Sequence, residues 1–195
     1  MSALELAQSL IKIKSISPED GGCFDLIAAE LIPFGFQIEK IAELNCETLL
    51  AKYGDSGKVF CYLGHTDVVP SGPEEEWTSH PFEANIVDGN LIGRGAADMK
   101  GSVAVFIESI KNFLIDNPDP NFQIWVMLTS NEEGEPADGK INTLMESLTN
   151  QNQFIDYCLV GEASSSDSVG DVLRAVSYTH LRAHETEADL VCRLL

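Results

Sequence analysis

The chain has 195 residues, 44% of them hydrophobic and 22% charged, and a formal net charge of −19 at pH 7. That length is enough to bury a core and reads as one domain, and the composition excludes a disordered chain. A surface this acidic repels nucleic acid and anionic membranes, and no run approaches the roughly 18 apolar residues of a bilayer span, so phosphate-backbone and membrane binders are excluded as well.

The start, MSALELAQSLIKIKS, has Glu5 inside its apolar stretch and lysines after it, the wrong order for a secretory signal. Leu4, Ala7, Leu10 and Ile11 recur at helical spacing, and this helix is expected to stop before Ser17-Pro18. A second helix is expected from about Phe24 to Leu31, ended near Pro33 and Gly35. Strands are expected at 36–41 and 47–53, with a stronger one over 58–63 running into Gly64-His65. Breakers crowd the stretch from Pro70 to Gly95, which predicts a long ordered loop with a small hairpin around Asp88-Gly89.

Val103, Phe106, Ile107, Ile110, Phe113 and Leu114 then form one helical stripe. Phe122–Leu128 is a nearly continuous apolar run, as for a strand buried on both faces. A helix over about 139–150 and a further buried strand, Phe154–Val160, complete the pattern. Strands alternating with helices predict an α/β domain, three layers α/β/α around a mostly parallel mixed sheet. Functional sites in such sheets collect at the carboxyl ends of strands, where His65, Glu132, Glu133 and Glu162 fall.

Residues 175–195, AVSYTHLRAHETEADLVCRLL, read differently: they resemble the translation of adaptor-like DNA and are expected to be a non-native tail. A terminal amphipathic helix is the alternative. Residues 1–174 are then the native part of the chain. The five cysteines (23, 46, 61, 158 and 192) are odd in number and lack CxxC spacing. Cys61 and Cys158 lie in apolar strand-like runs, where a thiol behaves as a small hydrophobe, and the set points to the reducing cytoplasm.

The chemistry-bearing residues are each ambiguous alone. His65 and Asp67 in GHTD lie two apart, so the carboxylate can hold the imidazole in the tautomer that offers a nitrogen to a metal. A strand-end histidine bonded to an aspartate fits the same dipeptide spacing. Asp98, in GRGAADMKG, has two oxygens that can bridge cations about 3.5–4 Å apart, or it can cap the following helix. Adjacent Glu132 and Glu133 repel unless cations compensate; one can ligate while the other takes a proton from water. Glu162 after a strand is a further oxygen ligand or a solvated glutamate. The GxG of residues 93–95 lacks the rest of a nucleotide-binding fingerprint.

Their order and context carry more. GHTDVVPSG, W-TSHPF, DGNLIGRGAADMKG, TSNEEGE and LVGEAS resemble the M20 family of dinuclear zinc amidohydrolases and peptidases over residues 1 to about 174. The resemblance implies two zinc ions in the full-length parent, with cobalt as the alternative. It implies that Asp98 bridges them, that His65 and Glu162 complete one site and that Glu133 binds at the other. It also implies that Asp67 orients His65, that Glu132 is the general base and acid, and that Asp98-Met99 is a cis peptide. The expected activity is hydrolysis of a small linear amide, a succinyl amide of diaminopimelate. Acetylornithine or peptide hydrolysis within the family, or a non-catalytic metal-binding fragment, are the alternatives.

The chain also departs from the family pattern. Ala163 stands where the family has proline, and the family's arginine-rich segment, dimerisation domain and later histidine ligand do not follow. This chain is therefore expected to hold at most one zinc well, to be inactive by itself and to be a monomer, whereas the parent is expected to be a homodimer. His180 and His184 have the spacing of a helical zinc pair but sit in the suspect tail. Sheet surface left bare is expected to promote aggregation.

Overall fold

The computed structural model describes residues 1–43, 46–134 and 140–164. The expected boundary at residue 174, the tail beyond it and both of its histidines lie outside these. The described elements belong to the compact unit Met1–Glu162.

Helix α1 (Ala3–Lys12) starts with a reciprocal cap: the Ser2 hydroxyl accepts from the Glu5 N–H, and the Glu5 carboxylate accepts from the Ser2 N–H. Its buried residues are Leu6, Ala7, Leu10 and Ile11, whereas Leu4 is exposed. Three of the four expected positions are therefore buried, with Leu6 in place of Leu4, and the i,i+4 pairs Leu6–Leu10 and Ala7–Ile11 form the buried face of a helix that packs against α3. The chain leaves α1 through a cis Ser17-Pro18 bond. The Asp20 carboxylate accepts the N–H groups of Gly22 and Phe24 at the start of α2 (Cys23–Leu31), and a short 3₁₀ turn follows at Ile32–Phe34.

Strands β1 (Gln37–Glu43), β2 (Cys46–Tyr53) and β3 (Val59–His65) come next, then a long connection containing the hairpin β4 (Asn85–Val87) and β5 (Asn90–Ile92). Its turn has positive φ at Asp88 (51°) and Gly89 (79°), the geometry that suits a two-residue hairpin. Helix α3 (Gly101–Asp116), β6 (Gln123–Thr129), α4 (Lys140–Asn150) and β7 (Tyr157–Val160) follow.

The five-stranded sheet has the order β1-β2-β6-β3-β7. β3 runs parallel to both β6 and β7, while β1–β2 and β2–β6 are antiparallel. The described sheet is therefore evenly mixed and not mostly parallel. Only residues 44 and 45 separate β1 from β2, too short a link for the crossover that a parallel pair needs.

Alternate residues of the strands build the two inner surfaces. Ala51, Tyr62, Ile124, Val126 and Leu128 pack under α1, α2 and α3, whereas Leu50, Cys61, Trp125 and Met127 pack under Leu144 and Leu148 of α4. This is the expected three-layer arrangement, with β6 buried on both faces. β7 differs from expectation: it is shorter, and Tyr157, Cys158, Leu159 and Val160 are all exposed. It is an edge strand among the described residues, so its apolar side chains have little to pack against. No helix among the described residues is long and apolar enough to cross a membrane.

Candidate metal centre

The parallel strands deliver their next residues to one rim of the sheet. His65 closes β3 and is 1% exposed. Its backbone N–H donates to Met99 Sδ. Its Nδ1–H faces the Asp67 backbone carbonyl at 3.0 Å, with Asp67 Oδ1 at 3.5 Å. Engaging Nδ1 in this way leaves Nε2 as the coordinating nitrogen when the ring is neutral. That Nε2 lies 3.1 Å from Asp98 Oδ1, 3.2 Å from Glu162 Oε1 and 3.9 Å from Glu132 Oε2.

Asp67 is fully buried, and its carboxylate is a clamp as much as a partner of His65. Oδ1 accepts from the Glu132 N–H and Oδ2 from the Glu133 N–H, each at 3.0 Å. Ser17 donates its hydroxyl to Oδ2 as well. Ser17 is placed there by backbone pairing of residues 15–17 beside 66–68, through Val68 N to Ser15 O and Ser17 N to Val68 O. Burial would raise the Asp67 pKa, but its bonds from His65, Ser17 and the two N–H groups outweigh that and lower it.

Asp98 sits in the bend between Gly95 (φ 81°) and α3, and the expected cis bond to Met99 is present. No side chain caps the start of α3, so Asp98 is not the helix cap its position allowed. Its carboxylate stays exposed and turned to His65. The bend is anchored by Lys100, a fully buried lysine whose Nζ donates to the Leu10 and Ile13 carbonyls at the end of α1 (2.8 and 2.9 Å). Burial lowers the Lys100 pKa.

The acids crowd one another. Burial, then the Asp98 charge, raises Glu133; burial, then the Asp98 and Glu132 charges, outweighs the attraction of His65 and raises Glu162. Burial would lower His65, but the hydrogen bond and charge of Asp67 and the charge of Glu162 raise it to about 9. A cluster that holds protons this tightly lacks positive charge, and one imidazole nitrogen with several carboxylates is a donor set that suits zinc. Two groups of ligand atoms, His65–Asp98–Glu162 and His65–Glu132–Glu133, each lie within 4.8 Å of one another. Both depend on His65.

All six sequence-selected residues thus converge. Ser17, Met99 and Lys100 support them and were not singled out from the sequence. Ser17 had a weak signal in its position before proline; a lysine after a glycine-rich turn reads as solvated charge until its contact with α1 is seen.

The model of peptidase family M20/M25/M40 matches residues 61–190. Succinyl-diaminopimelate desuccinylase of Methylobacillus flagellatus is 44% identical over 171 residues, covering 88% of this chain and 45% of that protein. The protein of the same name from Halorhodospira halophila is 46% identical over 187 residues, covering 95% and 49%. The chain therefore spans about half the length of the curated relatives it matches. An M20 family metallo-carboxypeptidase from Sulfolobus solfataricus superposes with a TM-score of 0.71 at 23% identity, over 84% of this chain and 38% of that one. Human carnosine dipeptidase 1 gives 0.71 at 23% identity over 81% and 38%. At that identity the two structures establish the fold alone.

Proposed function

The chain belongs to peptidase family M20/M25/M40, and we propose that it carries the metal-binding part of a zinc-dependent amidohydrolase that cleaves N-succinyl-diaminopimelate to succinate and diaminopimelate. One observation carries the chemistry: a buried histidine, oriented from behind by Asp67, turns its Nε2 to Asp98 and Glu162 with Glu132 alongside. The substrate rests on the desuccinylase name of relatives at 44% and 46% identity.

In this reading His65, Asp98 and Glu162 would hold one zinc ion, and Glu133 would serve a second together with Asp98. Cobalt is the alternative metal. Among the described residues both groups of candidate ligand atoms draw on His65, which supports one well-held cation in this chain. Bound zinc supplies a Lewis acid for the amide carbonyl and lowers the pKa of water. Glu132 supplies the proton path: its carboxylate accepts a proton from the attacking water and delivers it to the amine nitrogen as the C–N bond breaks. Its exposure suits that role, since a proton carrier must reach substrate. Asp67 fixes the ring of His65 and, through the two N–H groups it accepts, the backbone that presents Glu132 and Glu133. The free thiols of Cys23, Cys46, Cys61 and Cys158 support a cytoplasmic setting.

The test uses the full-length gene product with N-succinyl-diaminopimelate, N-acetylornithine and a dipeptide, following amine release. Desuccinylation is expected to dominate, and faster turnover of either other substrate would reassign the enzyme. Glu132→Gln is expected to abolish turnover while zinc content stays at the wild-type level. Loss of zinc together with turnover would make Glu132 a ligand and refute its assignment as proton carrier.

A further inference from the structure

We propose that Cys61 and Cys158 form an oxidation site, at which a peroxide converts the two thiols to a disulfide joining β3 to β7. The two residues are direct register partners in the parallel β3–β7 pair. Adjacent strands lie about 4.7–4.9 Å apart, within the 4.4–6.8 Å range of Cα separations that disulfides span, and paired residues of parallel strands project to the same face. Neither is in a disulfide in the structure. No other register pair in the described sheet brings two cysteines together: Cys46 is opposite Glu43, and Cys23 is on α2.

The pair is asymmetric in the way such chemistry requires. Cys158 is exposed on the edge strand, where a small oxidant reaches it, whereas Cys61 is fully buried beside Trp125 under α4. The facing Cys61 thiol brings the Cys158 thiol down to about 7, and the same interaction together with burial pushes Cys61 up, whose S–H also reaches the Tyr62 carbonyl at 3.5 Å. Cys158 is therefore the nucleophile and Cys61 the protonated resolving thiol. The Cys158 thiol gives its proton to solvent, the thiolate attacks one peroxide oxygen, the O–O bond breaks, and Cys158 becomes a sulfenic acid as hydroxide leaves and takes a proton back from solvent to become the first water. The Cys61 sulfur then attacks the Cys158 sulfur, its proton goes to the departing hydroxyl, and the second water leaves. The two thiols supply two electrons and hydrogen peroxide accepts them.

The position gives the bond a consequence at the rim. Cys61 precedes His65 by four residues on β3, and Cys158 precedes Glu162 by four along β7. A disulfide there fixes the register that brings those two ends to 3.2 Å, at a strand that otherwise has one described neighbour.

The test treats the purified 195-residue chain with hydrogen peroxide, blocks remaining thiols with maleimide and reads intact mass and a peptide map. The expected result is loss of the mass of two hydrogens, a single linked peptide pair containing Cys61 and Cys158, and full reversal by dithiothreitol. Cys158→Ser, a change at an exposed position, is expected to abolish that loss; Cys61→Ala is expected to leave Cys158 gaining oxygen instead. Wild-type chain that gains oxygen on Cys158 with Cys61 still a thiol overturns the proposal. So does Cys158 linked to Cys192 or to a second chain.

Discussion

The proton on His65 couples stability and metal binding to pH in opposite directions. Folding raises the pKa of this ring from 6.5 to about 9, chiefly because Asp67 and Glu162 outweigh the effect of burial. A raised pKa means that the folded state holds the proton more tightly. The stabilisation is therefore complete below about pH 6.5 and is lost as pH rises to about 9. A gap of about 2.5 units at about 1.4 kcal/mol each gives roughly 3–4 kcal/mol in the metal-free chain. Zinc requires the neutral ring, so its affinity should rise about tenfold per pH unit over the same interval, with about one proton released per ion bound. The assay is urea denaturation with a chelator present at several values from about pH 6 to 10, for wild type and His65→Gln. The difference between the two matters, because Cys158, lowered to about 7, titrates in the same window with the opposite sign. Calorimetry in two buffers of different protonation enthalpy counts the released proton. A wild-type minus variant difference that stays flat from about pH 6.5 to 9, or zinc binding without proton release, would refute the assignment of that charge to His65.

Asp67→Asn keeps the shape of the side chain but turns one of its two acceptors into a donor, facing either the Glu132 or the Glu133 N–H. Urea midpoints should show a loss of about 1–3 kcal/mol from that unsatisfied group, with weaker zinc binding by calorimetry. The native carboxylate also titrates low, so its contribution is present above about pH 4 and fades as pH falls further. Lys100→Met preserves bulk yet strips a donor from the Leu10 and Ile13 carbonyls, which should cost about 1–3 kcal/mol and loosen the bend that carries Asp98. Its zinc dissociation constant should rise, and an unchanged constant would show that Asp98 is held without this lysine. An added Cβ in Gly161→Ala overlaps Tyr62 Oη and Met99 Cε, and such overpacking should cost about 1–3 kcal/mol and displace Glu162. Zinc calorimetry on the folded variant reads that displacement directly.

Period-2 and period-3.6 patterning was enough to place the strands and helices, because burial on a defined face leaves a local imprint on sequence. The continuous apolar run of β6 reported its two covered faces correctly. The same signal misled at β7, where Tyr157, Leu159 and Val160 are as apolar as a core strand and yet exposed. Apolarity records what a strand is suited to touch, and no sequence pattern says whether the neighbour is there. Leu4 and Leu6 show a second limit: two leucines compete for one helix face, and the packing of α1 against α3 decides between them. The candidate ligands were legible because carboxylates and imidazoles at strand ends are chemically conspicuous. Their supports were not. Asp67 meets the Glu132 and Glu133 N–H groups, and Lys100 meets the end of α1, across sequence separations that no local spacing encodes.

Strand register is what turns separate strand ends into one cluster. β3 pairs Leu63 with Val160 of β7 and His65 with Thr129 of β6. Two steps beyond the first pair lie His65 and Glu162, 3.2 Å apart, and three steps beyond Thr129 comes Glu132. A slip of one residue in β7 would send Glu162 to the opposite face, since side chains alternate. The glycines beside the candidate ligands make the close approach possible. Gly64 and Gly161 each lie against the Met99 side chain, where a Cβ would overlap its methyl group, and Met99 Sδ in turn accepts the His65 N–H. Met99 is the residue after Asp98, so one buried side chain touches the approach to three of the candidate ligands at once. The geometry of the candidate metal site thus depends on small residues and a thioether that can bind nothing tightly themselves, and a substitution among them should alter metal affinity before it alters the fold.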